Sequence, residues 1–138
     1  MEFMVEHWLE GSSSLLVDGN NVMGSRPDGW WRDRPAASAR LVAQLGTLAA
    51  ACDLAITVVF DGVAPSPAPA APAGVEVRYA ERGGPDAADD VIAALVAADA
   101  AAATVVTADG ALRRRVEAAG GAVMGPAALL AAFEEVSA

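Results

Sequence analysis

Three aspartates sit just past the end of an apolar run and directly before a glycine: Asp18 in LLVDGNNV, Asp61 in TVVFDG and Asp109 in TVVTADG. Three more, Asp86, Asp89 and Asp90, share the stretch GPDAADDVI, where spacings of i, i+3 and i+4 put them on one side of a helix's first turn. Any single Asp beside Gly is ordinarily a turn former or a helix cap. Six in one place are harder to explain that way, because like charges within ~4–6 Å raise each other's pKa unless something cationic lies among them. The chain has no lysine to supply that charge. Oxygen donors without His or Cys favour a hard divalent cation, Mg²⁺ or Mn²⁺, over zinc. Such an ion binds a phosphate oxygen and activates a water, so phosphodiester hydrolysis needs no Ser, His or Lys nucleophile.

The elements that position these groups follow from the pattern around them. Leu15–Val17 and Leu54–Phe60 are short, continuously apolar runs closed by Asp-Gly, as buried strands are, and Thr104–Thr107 is another. Val75, Val77 and Tyr79 alternate with Glu76, Arg78 and Ala80, which predicts a half-exposed strand near an edge. Val123-Met124 makes a fifth, short strand. Helices are expected from Pro35 to about Ala51, after Asp86 as N-cap, from about Ala111 to Ala119, and from Pro126 to about Glu135. GSRPDGWWRDRP reads as loop, and the proline-rich APSPAPAAPAG as an extended surface segment. Strands alternating with helices predict an α/β fold: a mainly parallel sheet of about five strands in a three-layer arrangement with helices on both faces. In such sheets functional crevices lie outside the carboxyl ends of the strands, where Asp18, Asp61 and Asp109 stand.

Composition bounds the rest. A chain of 138 residues that is 54% hydrophobic is one domain with a sizeable core. Residues 1–14, ending in GSSS, are expected to be a flexible leader outside the domain at 15–138, and His7 and Trp8 go with them. No apolar run is long enough for a membrane span and the first ten residues lack a signal-peptide pattern. With the single Cys52 unable to form an internal disulfide, the expected location is cytoplasmic. The absence of lysine excludes P-loop and Schiff-base chemistry. A net charge of −9 looks unfavourable for nucleic acid, but its distribution matters more. Set aside the five glutamates at the two ends and the six motif aspartates, and nine arginines face seven acids.

LLVDGNNV, TVVFDG, GPDAADDVI and TVVTADG, in that order over roughly residues 15–130, resemble the NYN domain, the nuclease-like branch of the PIN superfamily, and are most similar to its YacP-like members. The resemblance implies a PIN-like Rossmannoid fold and a metal-dependent endoribonuclease acting with Mg²⁺ or Mn²⁺. On the family pattern Asp18 and Asn21 carry the first motif, Asp61 the second, Asp86 and Asp89 the third, and Thr107 and Asp109 the fourth. Asp90 has no firm counterpart. Ala108-Asp109-Gly110 departs from the Ser-Asp followed by a polar residue common in relatives. The expected metal ligands are Asp18, Asp61, Asp89 and Asp109, with Asp86 joining them in catalysis.

The expected partner is single-stranded RNA, with the ribosome a further candidate and the oligomeric state open. Asn21 and Thr107 offer an amide and a hydroxyl to position a phosphate or water. Arg26, Arg32 and Arg34 share a loop with Trp30 and Trp31, a combination suited to stacked bases and phosphates. Arg82 and the triplet Arg113, Arg114 and Arg115 flank the third and fourth motifs, with Arg82 and Arg113 expected at the crevice and at least one of the triplet turned away. The alternative function is an RNA-binding or ribosome-associated module whose metal site turns over little, and a small-molecule phosphatase ranks behind both.

Overall fold

The computed structural model describes residues 14–68, 70–84, 86–99 and 103–137. The elements in order are β1 (Ser14–Asp18), α1 (Gly19–Gly24), α2 (Arg34–Cys52), β2 (Ala55–Phe60), β3 (Val75–Tyr79), α3 (Ala87–Ala98), β4 (Ala103–Val106), α4 (Gly110–Ala118), β5 (Ala122–Met124) and α5 (Pro126–Ser137). Residues 1–13, including His7 and Trp8, lie outside the described residues. Ser14, expected in the leader, instead opens β1.

The five strands form one sheet in the order β3-β2-β1-β4-β5, every neighbouring pair parallel. The chain builds outward from β1 through β2 to the edge at β3, then crosses to the other side of β1. That reversal makes the gap between β1 and β4 a topological switch point, where side chains at the strand ends face a crevice. Strand alternation divides the core into two layers. Leu15, Val17, Ile56, Val58, Phe60 and Val106 point to one face and pack with Leu41, Leu45 and Leu48 of α2 and Leu129 and Phe133 of α5. Leu16, Val59 and Val105 point to the other and pack with Ile92 and Val96 of α3 and Leu112 and Val116 of α4. This is the expected three-layer α/β fold.

Two stretches differ from the sequence expectation. The turn expected after Asp18 is α1, formed by residues GNNVMG of low helix propensity whose Val22 and Met23 are buried. Burial of those two side chains outweighs the propensity. The expected loop contains one turn of 3₁₀ helix at Trp30–Arg32. Close packing fixes two glycines. A β-carbon on Gly19 would stand 2.5 Å from the Phe60 ring, and one on Gly46 would meet Pro72 at 2.6 Å, so α1 lies tight on β2 and the proline-rich segment tight on α2.

Candidate active site

The two-residue period of the strands places the first three polar groups. Asp18 shares its face with Leu16, Asp61 continues the phase of Val59, and Thr107 that of Val105, so all three emerge on the α3 and α4 side of the sheet. The register Val17 to Val106 sets Asp18 and Thr107 side by side one residue later. There the Thr107 hydroxyl donates to Asp18 Oδ2 at 2.8 Å, and both residues are buried. The same hydroxyl oxygen accepts the Asp109 N–H at 3.1 Å.

The remaining acids are held by helix starts. Asp109 is the N-cap of α4, its Oδ1 accepting from Leu112 N–H at 2.9 Å. Asp61, past the end of β2, accepts the Ala88 N–H at the start of α3, at 3.1 Å. That displaces the role expected of Asp86, which occupies the N-cap position of α3 but makes no side-chain capping bond and is exposed. Asp89, one turn in, is buried.

Adjacent asparagines clasp the strand ends together. Asn21 Oδ1 accepts the Ala108 N–H at 2.8 Å, tying α1 to the end of β4. Asn20 Oδ1 accepts the Asp61 N–H at 2.8 Å, tying α1 to the end of β2. Asn20 was not among the sequence candidates, and the tandem Asn in DGNNV was the available signal. Arg113 lies against the Thr107 carbonyl at 3.5 Å.

The electrostatics join these groups into one site. Burial pushes the Asp18 carboxyl up to about 6, against the Thr107 hydroxyl and the Asn21 backbone amide, which pull it down, while Asp89 and Asp61 raise it further. Burial also raises Asp89 to about 6, with Asp109, Asp86 and Asp61 adding to the rise and Arg115 opposing it. Asp18, Asp61 and Asp109 stand at the carboxyl ends of β1, β2 and β4, and Asp86 and Asp89 lie at the start of α3, where Asp61 is bonded. Asp90 faces elsewhere. It pairs with Arg115 and Arg82, and Arg115's hydrogen bond holds its carboxyl below the usual carboxylate range.

Arg26 is not part of this grouping. Its guanidinium lies 5.7 Å from the centre of the Phe133 ring and lines a separate pocket of about 260 Å³ with Gln44 and Glu134. Trp30 packs against the core and carries Arg34 over its ring, whereas Trp31 is 55% exposed and carries Arg32. The aromatic loop is thus half structural and half exposed.

Oxygen-only donors, two buried carboxyls raised by burial and by each other, and single-oxygen bonds that leave Asp61 and Asp109 anchored fit a hard divalent cation. Among the described residues no three His, Cys, Asp or Glu side chains already share a ready-made coordination shell. No helix of the described residues is long and apolar enough to cross a membrane.

The sequence pattern of the YacP-like NYN domain matches residues 15–138. The chain belongs to that family. NYN domains are a branch of the PIN-like nuclease superfamily and are in general divalent-metal-dependent. Two crystal structures of Rae1 (YacP) from Bacillus subtilis, one of them of a mutant, share the fold of this NYN domain at TM-scores of 0.75 and 0.73, each at 23% identity. The alignments cover 90% and 91% of this chain and 75% and 77% of the other. No curated protein matches this NYN domain by sequence.

Proposed function

We propose that this NYN domain is a metal-dependent endoribonuclease that hydrolyses phosphodiester bonds of single-stranded RNA with Mg²⁺ or Mn²⁺. The observation that carries the reading is the placement of Asp18, Asp61 and Asp109 at the carboxyl ends of three neighbouring parallel strands, with buried Asp89 on the helix packed over them, an anionic crevice that a cation would complete. Asp18, Asp61, Asp89 and Asp109 would hold the ion, which when bound polarises a phosphate oxygen and lowers the pKa of a water. The chain's own groups do the rest. Thr107 and Asn21 fix the ends of β1 and β4, Asp86 adds negative charge at the rim, and Arg113 and Arg82 offer guanidinium donors to phosphate.

Incubation of labelled single-stranded and hairpin RNAs with Mn²⁺ tests this. Wild type should cleave internally, EDTA should stop it, and Asp18→Asn and Asp109→Asn should lose at least a hundredfold in rate. Wild type that leaves every RNA intact overturns the proposal. One observation favours a second reading, an RNA-binding or ribosome-associated module with little turnover: the described acids do not already share a coordination shell. RNA binding without cleavage would select it.

A further inference from the structure

Asp90 stands next to Asp89 on α3, but its carboxylate is turned to two arginines. Its two carboxylate oxygens are divided between two arginines from different elements. Oδ2 accepts from Arg82 Nη2, in the loop before α3, and Oδ1 accepts from Arg115 Nη1 on α4 at 2.9 Å. Asp90 follows Asp89 in the first turn of α3 and Arg115 lies on α4, whose N-cap is Asp109, so the pair sits beside the acid crevice. The Arg82 end is fixed from behind, because Gly62 N–H donates to the Arg82 carbonyl at 2.9 Å and Glu81 N–H to the Gly62 carbonyl at 2.8 Å.

We infer that Arg82, Asp90 and Arg115 form a clamp for the RNA backbone, with Asp90 the positioning residue and the two guanidiniums the phosphate-binding groups. Two guanidiniums alone would repel each other, and one carboxylate between them removes that repulsion while leaving a net positive charge. In each bond with Asp90 the arginine commits one nitrogen of its fork, and a guanidinium carries five N–H donors. The side chains are 56% and 46% exposed, so each arginine is open to solvent beside its bond to Asp90. A phosphodiester has two non-bridging oxygens, and a pair of charge-assisted forks held a carboxylate's width apart suits it. With its donors bound to Asp90 and not to the metal-site acids, the clamp takes a phosphate neighbouring the scissile one and sets the strand's direction.

The clamp rests on the nuclease reading, and the experiment separates the two. Anisotropy of a fluorescein-labelled single-stranded oligoribonucleotide in EDTA gives Kd, and cleavage in Mn²⁺ gives KM and kcat. Arg82→Gln with Arg115→Gln should weaken Kd about tenfold and flatten the dependence of log Kd on log salt by about 0.7, the share of one phosphate on a single strand. Asp90→Asn should raise Kd and KM several-fold, with the loss falling on KM more than on kcat, and Asp90→Glu should recover most of it. Asp90 is half exposed, so its substitution spares the core, and an unchanged Tm verifies this. If Asp90→Asn binds RNA as well as wild type or better, Asp90 is merely a repelling anion and the clamp is wrong. Wild type that cleaves while these variants behave normally sinks the clamp alone. Wild type that binds through the clamp without cleaving sinks the nuclease reading alone.

Discussion

The Thr107 hydroxyl donates to Asp18 Oδ2 across 89 residues of sequence, and the same oxygen accepts the Asp109 N–H, so one side chain joins the ends of β1 and β4 to the start of α4. Removing the hydroxyl at constant shape leaves a buried carboxylate and a backbone N–H without that partner. Thr107→Val should therefore cost about 1–3 kcal/mol of stability. It should also weaken Mn²⁺ binding roughly 10–100-fold, the usual loss when a group orienting a ligand is removed. Thr107→Ser keeps the donor and should stay close to wild type. Calorimetric Mn²⁺ titration and thermal melts of the three proteins check this.

The raised carboxyls make stability depend on pH in a defined direction. Asp18 and Asp89 each go from an ordinary 3.8 to about 6 in the fold, so the folded state holds their protons more tightly than the unfolded one. Their contribution is fully present below pH 3.8 and is lost as the pH rises through 6. For Asp18 the loss is on the order of 3 kcal/mol. In EDTA this contribution to Tm should decline between pH 4 and 7. Mn²⁺ should restore far more Tm at pH 7 than at pH 4.5, where protons compete for the carboxylates. Melts at four pH values with and without Mn²⁺ measure it, and an equal metal effect at both ends would contradict the assignment.

Neutralising one buried acid should separate stability from activity. Asp89→Asn removes a charge opposed by burial and by Asp109, Asp86 and Asp61. The metal-free protein should gain about 1–2 kcal/mol at pH 7, or roughly 3–8 °C in Tm, while Mn²⁺ binding and RNA cleavage fall at least a hundredfold. Differential scanning calorimetry beside a cleavage assay reads both, and a less stable variant would mean that Asp89 is favourably paired.

How far these residues could be read from the sequence depended on the range of the interaction. Parallel strands buried on both faces read as apolar runs, so β1, β2 and β4 and the aspartates after them were legible, as was the edge position of β3 from its alternation. Helix α1 was not, since its residues favour turns and only the burial of Val22 and Met23 makes it helical. The family pattern singled out Asn21 and passed over Asn20, and which strand end each clasps depends on the helix that α1 forms. Asp86 carries the local signature of a cap, yet Asp61 takes a first-turn amide from 27 residues away, a competition that no local pattern records. Asp90 shares a helix face with Asp86, but its partners Arg82 and Arg115 lie on two other elements.

The tight seating of α1 offers a test of the scaffold that leaves every acid in place. Gly19 follows Asp18 directly, and a methyl group there would stand 2.5 and 2.6 Å from two atoms of the Phe60 ring and 3.0 Å from the Val59 carbonyl. The ring is 3% exposed and packed in the core against Tyr79, so it has little room to yield. Gly19→Ala should therefore push α1 away from β2 and cost about 1–3 kcal/mol. The displacement strains the Asn20 clasp on Asp61 and the Asn21 clasp on Ala108, so metal affinity should fall along with stability. Gly19→Ala with Phe60→Leu, which shortens the opposing side chain, should recover part of both losses. If the double variant melts no higher than Gly19→Ala alone, the contact between α1 and Phe60 does not set the position of the first aspartate.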